Sequence, residues 1–225
     1  MKKLTLTAAA AALLFAASCN NSSSDTAETT AQQEAAVSTG KEFTADVAAS
    51  VIKWRGTHKG GLAPRFGTIN LSSGTLSVDN GKVTGGSFVV DLNSLKVDSA
   101  SVTEEGKKAA DLEAHLKNAD FFDVTKYPTG KFEITKVVPF DPAKDKSMLE
   151  GATDMVSGNL TIKDKVVNIT FPAKITVTEN GADVQAKFNV DRTSWGLNLG
   201  AEGDPANWMI SKEFELDINL KAVQK

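Results

Sequence analysis

The chain has 225 residues, of which 41% are hydrophobic and 24% charged, and its formal net charge is -3. This length allows one or two domains, and the mildly acidic balance gives no electrostatic reason to bind nucleic acid. The single cysteine, Cys19, excludes a disulfide within the chain, so the fold must be held together by its core alone.

The first 18 residues are typical of a secretory signal peptide. A positive start of two lysines is followed by an almost wholly apolar run over residues 4–17, and small residues precede Cys19. The run is too short for a membrane-spanning helix, which needs about 20 residues. We therefore predict that residues 1–18 are removed on export.

Cys19 is the predicted first residue of the mature chain and its predicted lipidation site. The five residues that end there, Phe-Ala-Ala-Ser-Cys, resemble the bacterial lipobox, with Ala16 where a leucine is usual. Cleavage before Cys19 leaves its amine and thiol free for acylation. The alternative is a plain secreted protein with an unused thiol. The lipidated form predicts an outer membrane lipoprotein of the cell envelope, facing the periplasm or the cell surface.

Residues 19–42 differ in composition from the rest of the chain. Asn, Ser, Thr, Ala, Gln and Glu dominate this segment, and Val37 is its only larger aliphatic residue. Such a composition buries too little apolar surface to order itself. We therefore predict a disordered tether between the lipid anchor and a single domain over residues 43–225.

That domain is predicted to be antiparallel β structure, because apolar and polar residues alternate along most of its length. Turn signals such as Asp-Asn-Gly at residues 79–81 separate the alternating runs. About eight strands are expected, with one more at the end of the chain: 50–57, 67–72, 74–79, 82–92, 130–138, 154–163, 166–178, 182–192 and 212–223. Many short strands with near-neighbour connections favour a sandwich or a closed barrel.

One stretch departs from the alternation and predicts a helix over residues 104–117. Ala109, Leu112 and Leu116 have helical spacing, and Thr103 is placed to cap the N-terminus. The fold class predicted from the residues is therefore all-β with one short helical insertion.

Four blocks, in the right order, resemble the YceI-like family. The most specific is DLEAHLKNADFFDVTKYP at residues 111–128, in which a helix ends in His-Leu and leads into Asp-Phe-Phe-Asp-Val and Tyr-Pro. The others are VTGGSFVVDLNSL at 83–95, VSGNLTIK at 156–163 and FNVDRTSWGL at 188–197. The resemblance covers residues 43–223.

The resemblance implies a lipocalin-like antiparallel barrel, closed over by the helical segment, with a long apolar cavity that holds a polyisoprenoid. On this basis we expect a ligand-binding set comprising Phe88, Val90, Leu116, Phe121, Phe132, Ile134, Leu160, Ile162, Phe188 and Trp195. Gly158, on the inward face of its strand, is expected to leave room for the chain of the ligand.

The residues alone favour a plain core over a cavity, since a barrel of about eight strands can be filled by its own side chains. A solid structural or interaction module of the envelope is therefore the alternative to a lipid-binding protein. An enzyme that uses His115 with Asp111 is the third hypothesis, and it is not favoured. Arg192 either meets an anionic head group or pairs with a strand acid.

No cofactor or metal is expected, because two histidines and one cysteine supply few ligands for a transition metal. The expected partners are an isoprenoid or other long-chain lipid and, through the anchor, a membrane. Whether two copies pair as a homodimer is left open.

Overall fold

The computed structural model describes residues 26–202 and 209–224, so the predicted signal peptide and Cys19 lie outside the described residues. The described chain contains one α-helix, α1, at Ala109–Lys117. Its strands are β1 (Glu28–Thr30), β2 (Lys41–Ala45), β3 (Val51–His58), β4 (Arg65–Asp79), β5 (Lys82–Val97), β6 (Thr129–Pro139), β7 (Asp154–Ile162), β8 (Lys165–Val177), β9 (Gly181–Asp191) and β10 (Ile210–Gln224).

The strands form a closed antiparallel barrel. Each of β4 to β9 pairs with the next strand in the chain, and β10 returns to pair with both β2 and β3. Because β2 and β3 both pair with β4 and β10, they share one position in the wall, which gives eight positions. The predicted lipocalin-like barrel of about eight strands is confirmed.

The alternation that predicts the strands also determines which residues face inward. Along β7, Val156 and Ile162 are buried on the inner face, whereas Ser157 lies on the outer face and exchanges a hydrogen bond with Thr170. Such a division is expected where one face of an antiparallel sheet is apolar and the other polar. The two strands predicted at 67–72 and 74–79 form one strand, β4, with a shift of register between Leu71 and Ser73.

The helix begins five residues later than predicted. Residues 104–108 form a loop in which Gly106 has a φ of 75°, a left-handed conformation that interrupts a right-handed helix. The N-cap is Lys108, without a side-chain capping bond, rather than Thr103. Gly106 therefore divides the predicted helix into a loop and α1.

The described part of the expected tether is ordered against the barrel. β8 and β9 pair only over Ala173–Val177 and Ala182–Ala186. β1 lies beyond this contact and pairs with β8 from Glu28–Thr170 to Thr30–Asn168, while Ala27 N donates to Asn189 O of β9 (2.8 Å). The prediction of disorder therefore does not hold for residues 26–42. Their composition offers little apolar surface to bury, but backbone hydrogen bonds to the barrel order them.

From β1 the chain crosses the outer face of the barrel as far as β4. Gln33 N donates to Asn159 Oδ1 (3.0 Å), and Asn159 Nδ2 donates to Gln33 O (2.8 Å). Ala36 N donates to Ile134 O (2.9 Å), and Thr39 N donates to Thr84 Oγ1 (3.1 Å). We call residues 26–40 the N-terminal strap.

The two ends of the barrel differ. At one end, the mouth end, β3 ends, β4 begins and α1 follows β5. At the other, the far end, the tight turn between Asp79 and Lys82 joins β4 to β5. Buried side chains of Phe43, Val78 and Ala222 belong to the core near the far end.

Candidate functional site

A cavity of about 640 Å³ runs inside the barrel. This volume lies within the range of small-molecule sites, which is about 300–1,000 Å³. Its wall is mostly aliphatic and aromatic, with contributions from every strand position of the barrel, including Ile52, Trp54, Ile69, Leu71, Leu76, Val83, Leu92, Val156, Ile169, Phe171, Val184, Leu216, Ile218 and Leu220. The interior is therefore hollow, whereas the solid-core alternative requires that side chains fill it.

Nine of the ten residues expected from the sequence line this cavity. They are Phe88, Val90, Leu116, Phe121, Phe132, Ile134, Leu160, Ile162 and Phe188. Their contact with a ligand stays a prediction, but the fold brings them to one enclosed space.

Trp195 is the exception and does not line the cavity. Its side chain is 2% exposed, and its indole Nε1 donates to Leu160 O of β7 (2.8 Å). The indole therefore ties the turn after β9 to the wall of the barrel. The expectation of ligand contact is corrected to a structural role for this residue.

The expected room at Gly158 is occupied by a neighbouring ring. A Cβ atom built on Gly158 would lie 2.2 Å from Phe132 Cζ. Phe132 in turn packs against Phe171 at a centroid distance of 5.7 Å, and Phe171 stacks on Phe188 at 4.1 Å. Gly158 therefore seats a row of three aromatic rings in the cavity wall, and the space is not left to a ligand.

Charged side chains line the cavity at its mouth. Arg65, Lys107 and Lys108 stand there with Glu104 and Asp111. Arg65 Nη2 donates to Glu104 Oε1. Hydrogen bonds from the backbone amide of Glu104 and from Arg65 hold the pKa of this carboxyl below its ordinary value. The cavity therefore has an apolar interior and a polar opening.

His115 also lines the mouth, together with Asp111 one helical turn before it. Within residues 26–202 and 209–224, no group of three or more His, Cys, Asp and Glu side chains is placed to hold a metal ion. Both residues contribute to the lining of the cavity near its mouth.

Arg192 is 3% exposed and binds backbone carbonyls. Its guanidinium donates to the oxygens of Leu197, Ile210 (3.2 Å) and Ser211 (3.0 Å), and it lies 5.7 Å from the centroid of the Phe121 ring. These bonds join the turn after β9 to the start of β10. The pairing of Arg192 with a strand acid stays a prediction.

The helical segment lies at the mouth, as the resemblance to the YceI-like family implies. Leu112 and Leu116 of α1 and Phe121 beyond it line the cavity. Glu113 accepts from Lys96 Nζ and Lys117 Nζ, both at 3.0 Å, and so ties α1 to β5.

The turn beyond α1 is attached at a second point. Lys163 Nζ donates to Phe121 O (3.1 Å), which joins this turn to the connection between β7 and β8. The cover is therefore fixed to the barrel on both sides of the mouth.

Several cavity residues were missed by reasoning from the sequence, among them Trp54, Phe171 and Leu216. Each lies at an inward position of an alternating strand, so the signal was present for all three. Alternation identifies the inner face, but it does not say which inner residues border open space.

No helix in the described part of the chain is both long and apolar enough to cross a membrane.

Comparison with known proteins agrees with this architecture. The model of the YceI-like domain matches residues 43–222. A UPF0312 protein of Pseudomonas putida strain F1 is 30% identical over 178 residues, covering 77% of this chain and 81% of the relative. A UPF0312 protein of Pseudomonas savastanoi pv. phaseolicola is 31% identical over 165 residues, covering 71% of this chain and 73% of the relative.

Two solved structures share the fold. BcnA of Burkholderia cenocepacia superposes with a TM-score of 0.57 at 16% identity, over 80% of this chain and 99% of that protein. A polyisoprenoid-binding domain from Saccharophagus degradans superposes with a TM-score of 0.52 at 18% identity, over 81% of this chain and 98% of that domain. With a family model that spans most of the barrel and relatives at this level of identity, the chain belongs to the YceI-like family.

Proposed function

We propose that the protein is a lipid-anchored carrier that binds an apolar, isoprenoid-type lipid inside its barrel. One observation carries this proposal: a cavity of about 640 Å³ is apolar along its length and polar at its mouth. That division matches a molecule with a long hydrocarbon chain and one polar end.

The chemistry of the wall favours flexible hydrocarbon. Phe132, Phe171 and Phe188 give flat aromatic surfaces, and branched aliphatic side chains such as Ile134 and Ile169 complete the wall. These groups offer dispersion contacts and few hydrogen bonds, so they select for apolar surface and leave the polar end to the mouth.

The reference state for the affinity of such a lipid is the lipid dissolved in a bilayer and not the lipid in water. Burial of a methylene from water contributes about 0.8 kcal/mol, so a five-carbon unit contributes about 3–4 kcal/mol. A bilayer supplies nearly the same gain. Exchange between membrane and cavity is then close to balance, which suits a carrier or a reservoir.

The related Saccharophagus degradans domain is described as polyisoprenoid-binding, and it supports the choice of an isoprenoid as ligand class. The second part of the proposal is the anchor. We infer that Cys19 carries the lipid and holds the barrel at the outer membrane, facing the periplasm or the cell surface.

Solvent extraction of the purified protein, followed by mass spectrometry, tests the ligand. We expect a stoichiometric apolar molecule with an isoprenoid fragmentation pattern. In Leu160→Trp the larger side chain fills part of the cavity, so the amount extracted should fall severalfold while the barrel stays folded. Thr161→Trp is the matched control, since Thr161 is the next residue of β7 and faces outward.

Repeated extraction without any stoichiometric lipid would contradict the proposal. So would equal ligand content in the Leu160 and Thr161 variants, because the wall of the cavity would then not hold the ligand. Circular dichroism of both variants separates loss of ligand from loss of fold.

A further inference from the structure

The chain enters the described structure beside the mouth of the cavity. Thr26 Oγ1 donates to Glu213 Oε1 (3.0 Å), and Glu213 itself lines the cavity. Ala27 is bonded to Asn189, which lies two residues before the end of β9 at the mouth end. Whatever holds the N-terminus therefore holds the barrel by its mouth end.

The remaining link to the anchor is short, because the N-terminal strap is ordered. Only seven residue steps separate Cys19 from Thr26, and at about 3.3–3.6 Å each they span at most ~25 Å. β9 runs from the far end to the mouth end over 11 residues, which is ~36 Å along the strand. A link of that reach brings the mouth end to the membrane more readily than the far end.

Two large apolar side chains are exposed at the mouth end. Leu62 is 68% exposed and Met209 is 47% exposed. Both lie in the same corner, since His58 N donates to Leu62 O and Lys59 N donates to Met209 O. Their neighbours Ala63 and Ile210 line the cavity, so the two side chains border the opening.

We propose that the mouth end of the barrel docks on the membrane surface, with Leu62 and Met209 placed among the lipid head groups. This inference rests on the proposed anchor at Cys19. It adds a docking surface and a route, in which the ligand passes between bilayer and cavity without crossing water.

The charges at the opening are mixed, with Arg65, Lys107 and Lys108 beside Glu104 and Asp111. The docking is therefore carried by the apolar side chains and not by attraction to anionic lipid. We expect it to depend little on salt concentration, because screening weakens only the charge terms.

The test uses the lipidated full-length protein in two kinds of vesicle, one of phosphatidylcholine alone and one of phosphatidylcholine and phosphatidylglycerol in equal parts. A thiol-reactive nitrobenzoxadiazole probe is placed at Leu62→Cys and quenched by spin-labelled lipids in the same vesicles. Val47→Cys is the control, because Val47 is also an exposed apolar residue, at 41%, and lies away from the mouth, where the neighbouring Asp46 bonds to Lys221 of β10. We expect a blue-shifted emission and severalfold stronger quenching at Leu62 than at Val47, with and without phosphatidylglycerol.

Equal quenching at both positions, in protein that floats with the vesicles, would overturn the docking while leaving the anchor intact. Failure to float, together with an N-terminal peptide that carries no acyl mass, would overturn the anchor and the docking with it. Neither result affects the ligand extraction, so the failures of the proposals are distinguishable.

A functional measurement completes the test. The double variant Leu62→Ser/Met209→Ser should take up a fluorescent farnesyl lipid from the vesicles severalfold more slowly, with unchanged flotation. Val47→Ser/Val223→Ser is the control away from the mouth, and Val223 is 46% exposed. Equal uptake rates in the two double variants would contradict the proposed route.

Discussion

At the scale of single residues, two strand glycines make room for phenylalanine rings in the cavity wall. A Cβ on Gly158 would lie 2.2 Å from Phe132 Cζ, and one on Gly74 would lie 2.3 Å from Phe88 Cδ1. Phe88 and Phe132 face each other across β5 and β6. The glycines thus let both rings lie close to the backbone, which leaves the centre of the barrel open.

Gly158→Ala tests this seating. The added methyl would also approach Glu133 O to 2.8 Å, and backbone at that distance does not yield easily. We expect the free energy of unfolding to fall by about 1–3 kcal/mol, as in other overpacked cores, and the ligand content to fall as Phe132 moves inward. Chemical denaturation and solvent extraction measure the two effects.

Gly130→Ala is the matched control on the neighbouring strand. Its Cβ would find Thr161 O at 3.5 Å, an ordinary contact. A loss of stability at Gly130 as large as that at Gly158 would contradict the proposed role of the ring.

The sequence predicts correctly which residues line the cavity where they lie in alternating strands, and it fails where they lie outside such strands. Leu160 and Ile162 are inward by period and line the cavity. Trp195 lies in the turn Arg192–Trp195 after β9, where the two-residue alternation of a strand does not apply. The size of a cavity is also invisible to the pattern, because filled and hollow barrels have the same inner faces.

At the scale of elements, the N-terminal strap is held by a buried amide pair. Asn159 and Asn168 are each 4% exposed. Asn168 Nδ2 donates to Asn159 Oδ1 and to Thr135 Oγ1, both at 3.0 Å, which orients Asn159 toward Gln33. The strap therefore binds a polar site on an outer face that would otherwise meet water.

Asn159→Ala should release the middle of the strap. The substitution leaves the amide of Gln33 and the side chain of Asn168 without Asn159, and unmet buried groups cost about 1–3 kcal/mol. We expect faster hydrogen exchange at Gln33 and its neighbours, with β4 and β5 still protected. Thr161→Ala, on the same outer face of β7, is the control and should leave exchange in the strap unchanged.

Attachment of α1 is expected to depend on pH through Glu113. Partial burial raises the pKa of this carboxyl, but the hydrogen bonds from Lys96 and Lys117 outweigh that effect and leave the pKa below its ordinary value. A lowered pKa in the folded state means that the charged form is stabilised. The contribution is full above about pH 4.5 and is lost as the pH falls through the lower folded value.

We therefore expect α1 to exchange its amide hydrogens faster below about pH 4.5 than the strands do, after correction for intrinsic rates. Glu113→Gln should speed exchange at neutral pH and remove most of the change on acidification. Glu105→Gln, in the exposed loop before α1, is the control. An identical pH response in both variants would show that Glu113 is not the responsible group.

The elements that sequence reasoning missed share one property, which is that local pattern does not produce them. β1 is the stretch Glu-Thr-Thr, without an apolar side chain. It is ordered by its pairing with β8, and Ala27 before it bonds to Asn189 of β9. The start of α1 was predicted too early because the left-handed φ angle of Gly106, which interrupts the helix, does not follow from the spacing of apolar residues. The long strands were predictable because apolar and polar residues alternate along them, and this alternation indicates the inner and outer faces of the wall.

At the scale of the whole molecule, the ordered strap changes the geometry of the proposed anchor. A disordered segment over residues 19–42 would let the barrel move freely at a distance from the membrane. With residues 26–40 laid on the barrel, only the link from Cys19 to Thr26 stays outside the described contacts. The proposed anchor would then limit both the distance and the orientation of the barrel relative to the membrane.

Cys19→Ser is expected to move the protein from the membrane fraction to the soluble fraction of the envelope, because a single hydroxyl cannot take the place of the thioether-linked lipid. Mass spectrometry of the N-terminal peptide should lose the acyl mass at the same time. Ser24→Ala, in the same link, is the control and should stay membrane-bound. Unchanged fractionation of the Cys19 variant would contradict the anchor.

The position of β1 and the residues before it, against β8, β9 and β10, also affects how the barrel folds. Thr26 bonds to Glu213 across a separation of 187 residues, so a segment made early contacts β10, which is made late. Contacts that close long loops form slowly. During that interval the wall lacks its piece between β8 and β9, and the interior is open to the side. For the proposed carrier, this gap is a transient lateral route for the ligand into the interior, and it closes when residues 28–30 pair with β8.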